Sequence, residues 1–432
     1  MQHSVTLIKD KCKGCTKCIK QCPTEAIRVR RGRAIIMDER CIDCGQCIRV
    51  CPHRAKKAVY DSLDRLNDFP YTIALPAPSL YGQFKNLDNI DQVLAGLLKI
   101  GFDSVYEVSV GAEMLSNFMR LNAVDKPVET PIISSACPAA VRLICMRFPK
   151  LIDNIIQHKA PMEIAAIYAR EEAMAQTGLN REQIGIFFIT PCPAKVTAIQ
   201  SFNYLHQPVI DGAFSMTDIY RKLLQNMERN NVPNLARSRA TGVGWALSGG
   251  ELLATAMQDS LAVDGIEHII AVLDDVEDGK LSHVQFLELS ACNQGCVGGC
   301  LAVENPYVAK ARIKKLIAQM QATEKELPAQ YLQKEIFLSD KPLKENSVWH
   351  LAEDRIVAME RFQKVSALKE LLPGLDCGSC GTPSCRALAE DVVLGLASED
   401  DCIFRVRERM QKITGTGDAD EYLPPPFRKC KE

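Results

Sequence analysis

Short apolar runs alternate with longer amphipathic stretches between residues 70 and 345. The runs rich in β-branched and aromatic residues predict six strands: TIAL at 72–75, SVYEVSV at 104–110, IIS at 132–134, IGIFFIT at 184–190, HIIAVL at 268–273 and FLEL at 286–289. Strands that alternate with helical segments are typical of βαβ units. The pattern therefore predicts an α/β fold with a largely parallel sheet in this part of the chain.

Two further segments have a helical pattern. One follows Asn305-Pro306 and covers residues 306–320, where core packing is the expected role of its apolar side chains. The other begins near residue 353 and ends at Pro373-Gly374, as helices commonly do. From Gly415 onward the tail, which ends in LPPPFRKCKE, is predicted to be weakly ordered.

Length and composition limit the class of protein. The 432 residues are too many for one hydrophobic core and are sufficient for about three domains. With 47% hydrophobic and 24% charged residues, the chain is neither disordered throughout nor collagen-like. No apolar run reaches the roughly 18 residues of a membrane span, so we expect a cytoplasmic protein. The 19 cysteines are too dilute for a disulfide scaffold, and metal binding is their expected use.

The cysteines form three groups, and these groups define the predicted domains: 1–60, 70–345, 353–414 and a tail at 415–432. Residues 1–60 carry 14 Lys and Arg against 5 Asp and Glu, although the whole chain has a net charge of only -1. We interpret the basic segment as charge compensation for anionic clusters and as a docking face for an acidic electron carrier. A solvated basic surface without a partner is an equally good interpretation, and nucleic-acid binding is not favoured.

The first cysteine group repeats the pattern C-x2-C-x2-C-x3-C-P, once from Cys12 to Cys22 and once from Cys41 to Cys51. This arrangement resembles a two-cluster bacterial ferredoxin domain, in which the last cysteine of each run ligates the other cluster. The resemblance implies an α+β domain with two [4Fe-4S] clusters. The implied ligands are Cys12, Cys15, Cys18 and Cys51 for one cluster and Cys22, Cys41, Cys44 and Cys47 for the other. A zinc site has no need of this duplication.

The last cysteine group lies in LLPGLDCGSCGTPSC and in ASEDDCIF, and its members are Cys377, Cys380, Cys385 and Cys402. Four thiolates among glycines indicate a further [4Fe-4S] site, and the stretch resembles a small iron-sulfur domain of bacterial electron-transfer complexes. A mainly helical domain is implied. Zinc remains an alternative because this spacing is less distinctive.

The central cysteines lie in three loops that follow predicted strands, where open α/β folds bind their ligands. The loops are SSACPAAV with Cys137, TPCPAK with Cys192, and ELSACNQGCVGG with Cys292 and Cys296. The first loop enters a helix whose N-terminal dipole favours an anionic group. Taken one at a time, each cysteine is better interpreted as a small buried apolar residue.

Taken together, the three loops resemble the signatures TSCCP, MPCxxKxxE and ExMxCxxGCxxGG of the [FeFe]-hydrogenase catalytic domain. The resemblance implies a two-lobed α/β domain with largely parallel sheets. It also implies that Cys137, Cys192, Cys292 and Cys296 hold a fourth [4Fe-4S] cluster, and that Cys296 bridges to a two-iron subsite with CO, cyanide and a dithiolate. Lys195 corresponds to the lysine that contacts a cyanide ligand. Other residues implied to line the cofactor pocket are Ala77, Pro78, Ser79, Thr190, Ser290, Gly295 and Cys300.

Several positions depart from the family pattern. The proton-donating cysteine of the family is Ala136 here, and the methionines that flank the subsite are Thr190 and Ser290. A positioned acid or base is normally worth about 10²- to 10⁴-fold in rate, so Ala136 predicts slow turnover. Cys300 replaces a glycine and is either a substitute proton carrier or a packing residue. Of the other unassigned cysteines, Cys145 is expected to be buried and Cys430 to have no role.

Retained ligands and an altered proton path resemble the sensory [FeFe]-hydrogenases. The sequence therefore predicts an enzyme that slowly and reversibly oxidises H2 and reduces protons, and that acts as an H2 or redox sensor. The expected partners are H2, protons and a redox partner such as a ferredoxin, with a signalling protein and a homodimer left open. Two alternatives remain, a non-catalytic iron-sulfur carrier or scaffold and a subunit of an NAD-linked or bifurcating hydrogenase complex.

Overall fold

The computed structural model describes residues 3–122, 131–201, 207–320, 334–346, 348 and 351–414. The tail predicted at 415–432, including Cys430, lies outside the described residues.

The chain divides into two compact units. The larger unit comprises Met1–Thr6, Cys41–Arg49 and Lys57–Ser347, and the smaller unit comprises Leu7–Arg40, Val50–Lys56 and Val348–Glu432. Residues of the first 60 therefore contribute to both units, and the last cysteine group belongs to the smaller one.

The strands, in chain order, are β1 Val5–Leu7, β2 Ile27–Arg30, β3 Arg33–Ile36, β4 Lys56–Ala58, β5 Tyr71–Pro76, β6 Ser104–Val105, β7 Ile132–Ile133, β8 Ile184–Thr190, β9 Gly212–Ser215, β10 Ser260–Asp264 and β11 Phe286–Ser290. The helices are α1 Lys17–Lys20, α2 Gln46–Arg49, α3 Asp91–Ile100, α4 Val108–Asn122, α5 Pro138–Arg147, α6 Pro161–Thr177, α7 Pro193–Ser201, α8 Met216–Asn226, α9 Ala240–Gly244, α10 Gly250–Thr255, α11 Ile266–Glu277, α12 Pro306–Met320, α13 Lys334–Phe337, α14 Arg355–Leu371, α15 Cys385–Val393 and α16 Ile403–Thr414.

Two parallel sheets form the centre of the larger unit. One has the order β6-β5-β8-β9 and the other has the order β10-β11-β7, and every pair in both sheets is parallel. All seven residues of β8 are buried, as expected for a strand covered on both faces. Phe187 of β8 stacks on Phe214 of β9, with ring centroids 4.8 Å apart. The predicted α/β architecture with parallel sheets is thus confirmed.

One predicted strand is shorter than expected, and another is wrong. In the segment 104–110 only β6 is a strand, and α4 begins at Val108, because Val108, Ala112 and Leu115 share one buried helical face. The segment 268–273 lies inside α11, where Ile269 and Leu273 are buried one turn apart. The β-branched residues that favoured a strand in both segments also fit a buried helix face, which packs on other helices in α4 and on β10 and β11 in α11.

The smaller unit contains an antiparallel hairpin of β2 and β3. The turn residues Arg31 and Gly32 both have positive φ, of 50° and 72°, which matches the twist of the paired strands. The predicted helix near 353 is α14, whose N-cap Asp354 accepts hydrogen bonds from the backbone N–H groups of Ile356 and Val357. Among the described residues of the whole chain, no helix has the length and apolarity needed to cross a membrane.

Candidate metal centre

Three cysteine loops of the larger unit converge on one cavity. The loops follow β7, β8 and β11, so the cavity lies beyond the carboxyl ends of strands from both parallel sheets. Its volume is about 90 Å³, and Cys137, Cys192, Cys292 and Cys296 all contribute to its wall. We call it the cysteine cavity. Parallel α/β folds bind ligands at this end of their strands because loops and helix N-termini meet there.

Most of the pocket residues expected from the sequence line the cysteine cavity. They are Ala77, Pro78, Ser79, Ala136, Lys195, Ser290 and Gly295. Ser79 is buried, and its hydroxyl oxygen has no hydrogen-bond partner among the described residues. A buried hydroxyl without a partner is costly unless a ligand supplies one. This side chain therefore fits a bound cofactor with polar groups.

Two of the expected pocket residues lie elsewhere. Thr190 is fully buried, and its hydroxyl donates to the carbonyl of Cys192 and accepts from the Cys192 N–H, so it fixes the second cysteine loop. Cys300 contacts the loop of the first cysteine group, where a Cβ on Gly45 would lie 2.4 Å from the Cys300 Sγ. Neither residue belongs to the cavity wall.

Lys195 brings positive charge to the four thiols. Its Nζ lies 3.8 Å from the Sγ of Cys296. Burial lowers the pKa of Lys195, but the negative charge of nearby thiolates, that of Cys296 first, outweighs this effect and raises the pKa overall. The ammonium is therefore the form present at neutral pH.

The four thiols have the chemistry of an iron-sulfur ligand set. Burial raises the pKa of Cys192, and it raises the pKa of Cys292 to about 12. Thiols of this kind ionise when a cation compensates their charge, and iron-sulfur clusters are held by four thiolates. The residues present thus fit a cubane cluster.

Close backbone contacts hold the cysteine loops together. Gly295 has a φ of +84°, and a Cβ there would lie 2.4 Å from the backbone nitrogen of Ser248. A Cβ on Gly299 would lie 2.3 Å from the carbonyl oxygen of Pro191, which precedes Cys192. The third loop can approach the second only because position 299 has no side chain.

Two glutamates of the cavity wall were missed by the sequence analysis. Glu251 accepts a 2.6 Å hydrogen bond from the hydroxyl of Ser134, and the Ser134 oxygen accepts one from the N–H of Ala136. Glu288 accepts hydrogen bonds from the N–H groups of Gly249 and Leu252. Both carboxyl groups are buried and line the cysteine cavity. The available signal was Glu288 itself, a charged residue inside the apolar strand FLEL.

The two glutamates hold protons unusually tightly. Burial, together with the charge of Glu288, raises the pKa of Glu251 to about 8, although the hydrogen bond from Ser134 opposes the shift. Burial also raises the pKa of Glu288. A carboxylic acid that is protonated near neutral pH is suited to proton transfer.

The smaller unit contains a second cysteine-lined cavity, which we call the N-terminal cavity. The structure brings one predicted ligand set together in its wall: Cys12, Cys15, Cys18 and Cys51. The ammonium of Lys56 is buried in the same wall and has no hydrogen-bond partner among the described residues. An unpartnered buried cation beside four thiols fits an anionic cluster. In the second set, Cys22 belongs to the smaller unit and Cys41, Cys44 and Cys47 belong to the larger one.

The last cysteine group packs on the hairpin within the smaller unit. The N–H of Val29 donates to the carbonyl of Gly381, and Arg30 donates to the carbonyl of Cys380. Arg28 forms a bidentate pair with Asp391, at 2.8 and 3.1 Å. The loop of Cys377, Cys380 and Cys385 is therefore fixed to the strand that follows Cys22 in the chain.

Comparisons with known families match all three cysteine groups. The model for the iron only hydrogenase large subunit, C-terminal domain, matches residues 70–255 and 212–300, which together are more than half of the chain. A 4Fe-4S dicluster domain model matches residues 4–52, and the FeS family model matches residues 372–404.

Two curated relatives and a solved structure are also similar. NADP-reducing hydrogenase subunit HndD of Solidesulfovibrio fructosivorans is 23% identical over 342 residues, which are 67% of this chain and 55% of the relative. Iron hydrogenase 1 of Clostridium pasteurianum is 27% identical over 220 residues, 44% of this chain and 38% of the relative. The match thus spans about half of the first relative and less of the second. A variant of [FeFe]-hydrogenase HydA1 from Chlamydomonas reinhardtii is 14% identical, with a TM-score of 0.47 over 64% of this chain and 95% of that chain.

Proposed function

The chain belongs to the iron-only hydrogenase large-subunit family, and on this premise we propose that it catalyses reversible H2 oxidation and proton reduction at an H-cluster in the cysteine cavity. The proposal includes slow turnover and a sensory role, in which the redox state of the protein reports H2. The convergence of Cys137, Cys192, Cys292, Cys296 and Lys195 on one cavity is the observation that supports it.

The chain's own residues bind and orient the cofactor. Cys137, Cys192, Cys292 and Cys296 would hold the cubane, and the thiolate of Cys296 would also bind the two-iron subsite. The Lys195 ammonium would donate to an anionic ligand of that subsite, and the hydroxyl of Ser79 would supply a further donor. When bound, the H-cluster supplies an electrophilic iron that polarises H2 and a store for the electrons.

Proton transfer in this proposal uses Glu251 instead of a cysteine. Ala136 cannot carry a proton, but its N–H holds the Ser134 hydroxyl beside that position, and the hydroxyl contacts Glu251. When protonated at Oε2, Glu251 would donate to the Ser134 oxygen, the reverse of the hydrogen bond that its ionised form accepts, and would exchange its proton through that oxygen. The charge of Glu288 increases the proton affinity of Glu251. The expectation of slow turnover rests on position 136, where alanine leaves no thiol to donate a proton directly to the site.

Electrons leave through the remaining cysteine groups. The proposal assigns two clusters to the ferredoxin-like segment 1–60 and one to the C-terminal segment 353–414, which gives four [4Fe-4S] clusters with the cubane of domain 70–345. Cys15 is the one exposed residue among the described cysteines, and exposed Lys9, Lys11, Lys13 and Lys17 surround it in the chain. None of these lysines forms an ion pair with another described residue, and Asp10 is the only acid among them.

A docking face for an acidic electron carrier follows from this arrangement. Unpaired lysines around the most exposed cluster ligand would attract an acidic protein to the point where electrons leave. The use of sixteen thiolates as ligands favours a reducing compartment, so the proposal includes a cytoplasmic location.

A second candidate function is that of a subunit in a nicotinamide-linked hydrogenase complex. The relative named an NADP-reducing hydrogenase subunit favours it. In that case the same site would act, and the nucleotide chemistry would take place in another chain.

Infrared spectroscopy of anaerobic protein supplied with a synthetic two-iron cofactor tests the proposal. We expect bands from CO and cyanide that shift when argon is replaced by H2. If no such bands form while the iron content matches cubane clusters alone, the hydrogenase proposal is wrong, and the chain is an iron-sulfur carrier or scaffold.

A further inference from the structure

Asp43 lies between two cysteines of the first group, Cys41 and Cys44, which are the expected ligands of a ferredoxin-type cluster. Its side chain has no exposed surface. The carboxylate nevertheless has no role in ligating the cluster under the proposed assignment. A buried charge of this kind is retained only where it is paired and hydrogen-bonded.

The partners of Asp43 lie on the helices that follow the cavity cysteines. Its Oδ2 accepts a 2.6 Å hydrogen bond from Nη1 of Arg142 in α5, the helix that begins directly after Cys137. The same oxygen lies 2.8 Å from the hydroxyl of Thr197 in α7, the helix that begins directly after Cys192. One carboxylate thus joins the Cys41–Cys44 loop to two of the three cavity loops.

Three further contacts strengthen the same junction. Nη2 of Arg142 donates a 2.6 Å hydrogen bond to the carbonyl oxygen of Cys41, so the guanidinium binds both the carboxylate and the ligand's own backbone. The N–H of Ser4 donates to Asp43 Oδ1 at 2.9 Å, and Nδ1 of His3 lies 3.8 Å from that oxygen. The carboxylate is therefore surrounded by donors on both oxygens.

The third cavity loop meets the same segment at Gly45. A Cβ on Gly45 would lie 2.4 Å from the Sγ of Cys300, which follows Cys296 by four residues. Arg49, at the end of this segment, is close enough to Cys292 to lower its pKa against the dominant effect of burial. The helices that follow the first and second cavity loops, and Cys300 of the third loop, therefore contact residues 41–49 within the larger unit.

We propose that Asp43 is a positioning residue that fixes the ligand loop of one ferredoxin-type cluster against the cavity loops, and thereby sets the rate of electron transfer between the two cubanes. The proposal deepens the proposed function and rests on its iron-sulfur assignments, but it needs neither the two-iron subsite nor H2 turnover. Residues that orient ligands in this way commonly change affinity or activity about 10- to 100-fold when replaced.

The test uses the full chain with its cubane clusters reconstituted and no two-iron cofactor. Asp43→Asn keeps the shape of the side chain and removes the charge that holds Arg142. Thr197→Val removes a single hydroxyl contact, so it reports on the same junction if Asp43→Asn does not fold. Asp211→Asn is the matched control, because Asp211 pairs with the buried Arg170 at 2.7 Å and contacts none of the cysteine loops.

The readouts are iron content, thermal midpoint, the magnetic interaction between reduced clusters by electron paramagnetic resonance, and the rate of intercluster electron transfer by freeze-quench after rapid reduction. We expect Asp43→Asn to retain its iron, to lose the magnetic interaction and to transfer electrons about 10- to 100-fold more slowly. Thr197→Val should weaken the magnetic interaction and slow electron transfer to a smaller degree. Asp211→Asn should change neither the magnetic interaction nor the electron-transfer rate.

One outcome would contradict the positioning role of Asp43. If Asp43→Asn and Thr197→Val lower only the thermal midpoint, as Asp211→Asn does, while the interaction and the rate stay at the wild-type level, Asp43 has a purely structural role. The two proposals can fail separately. If the chain shows no infrared bands after it is supplied with the two-iron cofactor, but Asp43→Asn still changes intercluster electron transfer, the hydrogenase proposal is wrong and the role of Asp43 stands.

Discussion

At the scale of single residues, the proposed proton route depends on Ala136 and Glu251. Ala136 leaves no side chain to carry a proton, and its backbone N–H instead orients Ser134 toward Glu251. The signature around position 136 predicts the loss of the proton-donating cysteine. It does not predict the substitute that we propose, because Glu251 lies 117 residues away from Ser134 and only folding brings the two together.

We predict that Glu251→Gln lowers H2 turnover about 10²- to 10⁴-fold, the usual contribution of a positioned acid or base. The glutamine accepts the Ser134 hydrogen bond but does not titrate. In the wild type, the raised pKa of about 8 keeps the acid protonated at neutral pH. Proton reduction should therefore persist up to about pH 8 and decline above it, and H2 oxidation should increase over the same range. Gas-coupled electrochemistry as a function of pH measures both directions.

Glu163→Gln provides the control for that measurement. Burial likewise raises the pKa of Glu163, to about 7, but its carboxylate caps α6 through the N–H of Ala160 and does not line the cysteine cavity. The control should keep the wild-type rate and pH profile. Equal profiles for Glu251→Gln and the wild type would exclude the route through Ser134.

At the scale of elements, the strands and their following loops position the ligands. β8 was readable as an uninterrupted apolar run, and Cys192 follows its end by two residues. In contrast, α4 and α11 were assigned in part as strands, because Val and Ile favour both a pleated surface and a buried helix face. The burial of Ile269 and Leu273 one turn apart depends on the sheet beneath them, which local sequence does not specify.

The contact between the second and third cysteine loops depends on Gly299. We predict that Gly299→Ala lowers the iron content of the cysteine cavity, because the added Cβ would lie 2.3 Å from the Pro191 carbonyl oxygen and would separate the loops. Iron analysis with the cubane absorbance measures the loss. Gly244→Ala is the control, since its Cβ would meet only a side-chain atom at 3.8 Å. Full iron content in Gly299→Ala would contradict this prediction, because it would show that the two loops accommodate the added Cβ.

At the scale of the whole molecule, charge is distributed unevenly along the chain. The net charge is -1, yet exposed lysines cluster around Cys15 in the N-terminal cavity wall. These lysines have two candidate roles, docking of an acidic electron carrier and compensation of the charge of a bound cluster. An experiment that measures carrier association separately from the cluster potentials distinguishes the two.

We predict that Lys11→Glu, Lys13→Glu and Lys17→Glu combined slow association with an acidic bacterial ferredoxin at least about tenfold at low ionic strength. The difference should shrink above about 0.1 M salt, where charges are screened beyond about 10 Å. Stopped-flow kinetics over a salt series measures it. The exposed pair Lys314 and Lys315 of α12, changed to glutamate, should have no effect. If the association rate is unchanged while the reduction potentials of the clusters shift, the docking role is wrong and charge compensation is the role of these lysines.

The sequence alone determined the metal chemistry and the fold class. Ligand spacing in C-x2-C-x2-C-x3-C-P is a local property of the chain. An uninterrupted apolar run such as that of β8 likewise predicts a buried strand without reference to the rest of the fold. The structure added which groups face one another: Glu251 with Ser134, Asp43 with Arg142 and Thr197, and Gly45 with Cys300. These partners are separated by at least 99 residues, and a buried polar group finds its partner only when the surrounding sheets and helices have packed.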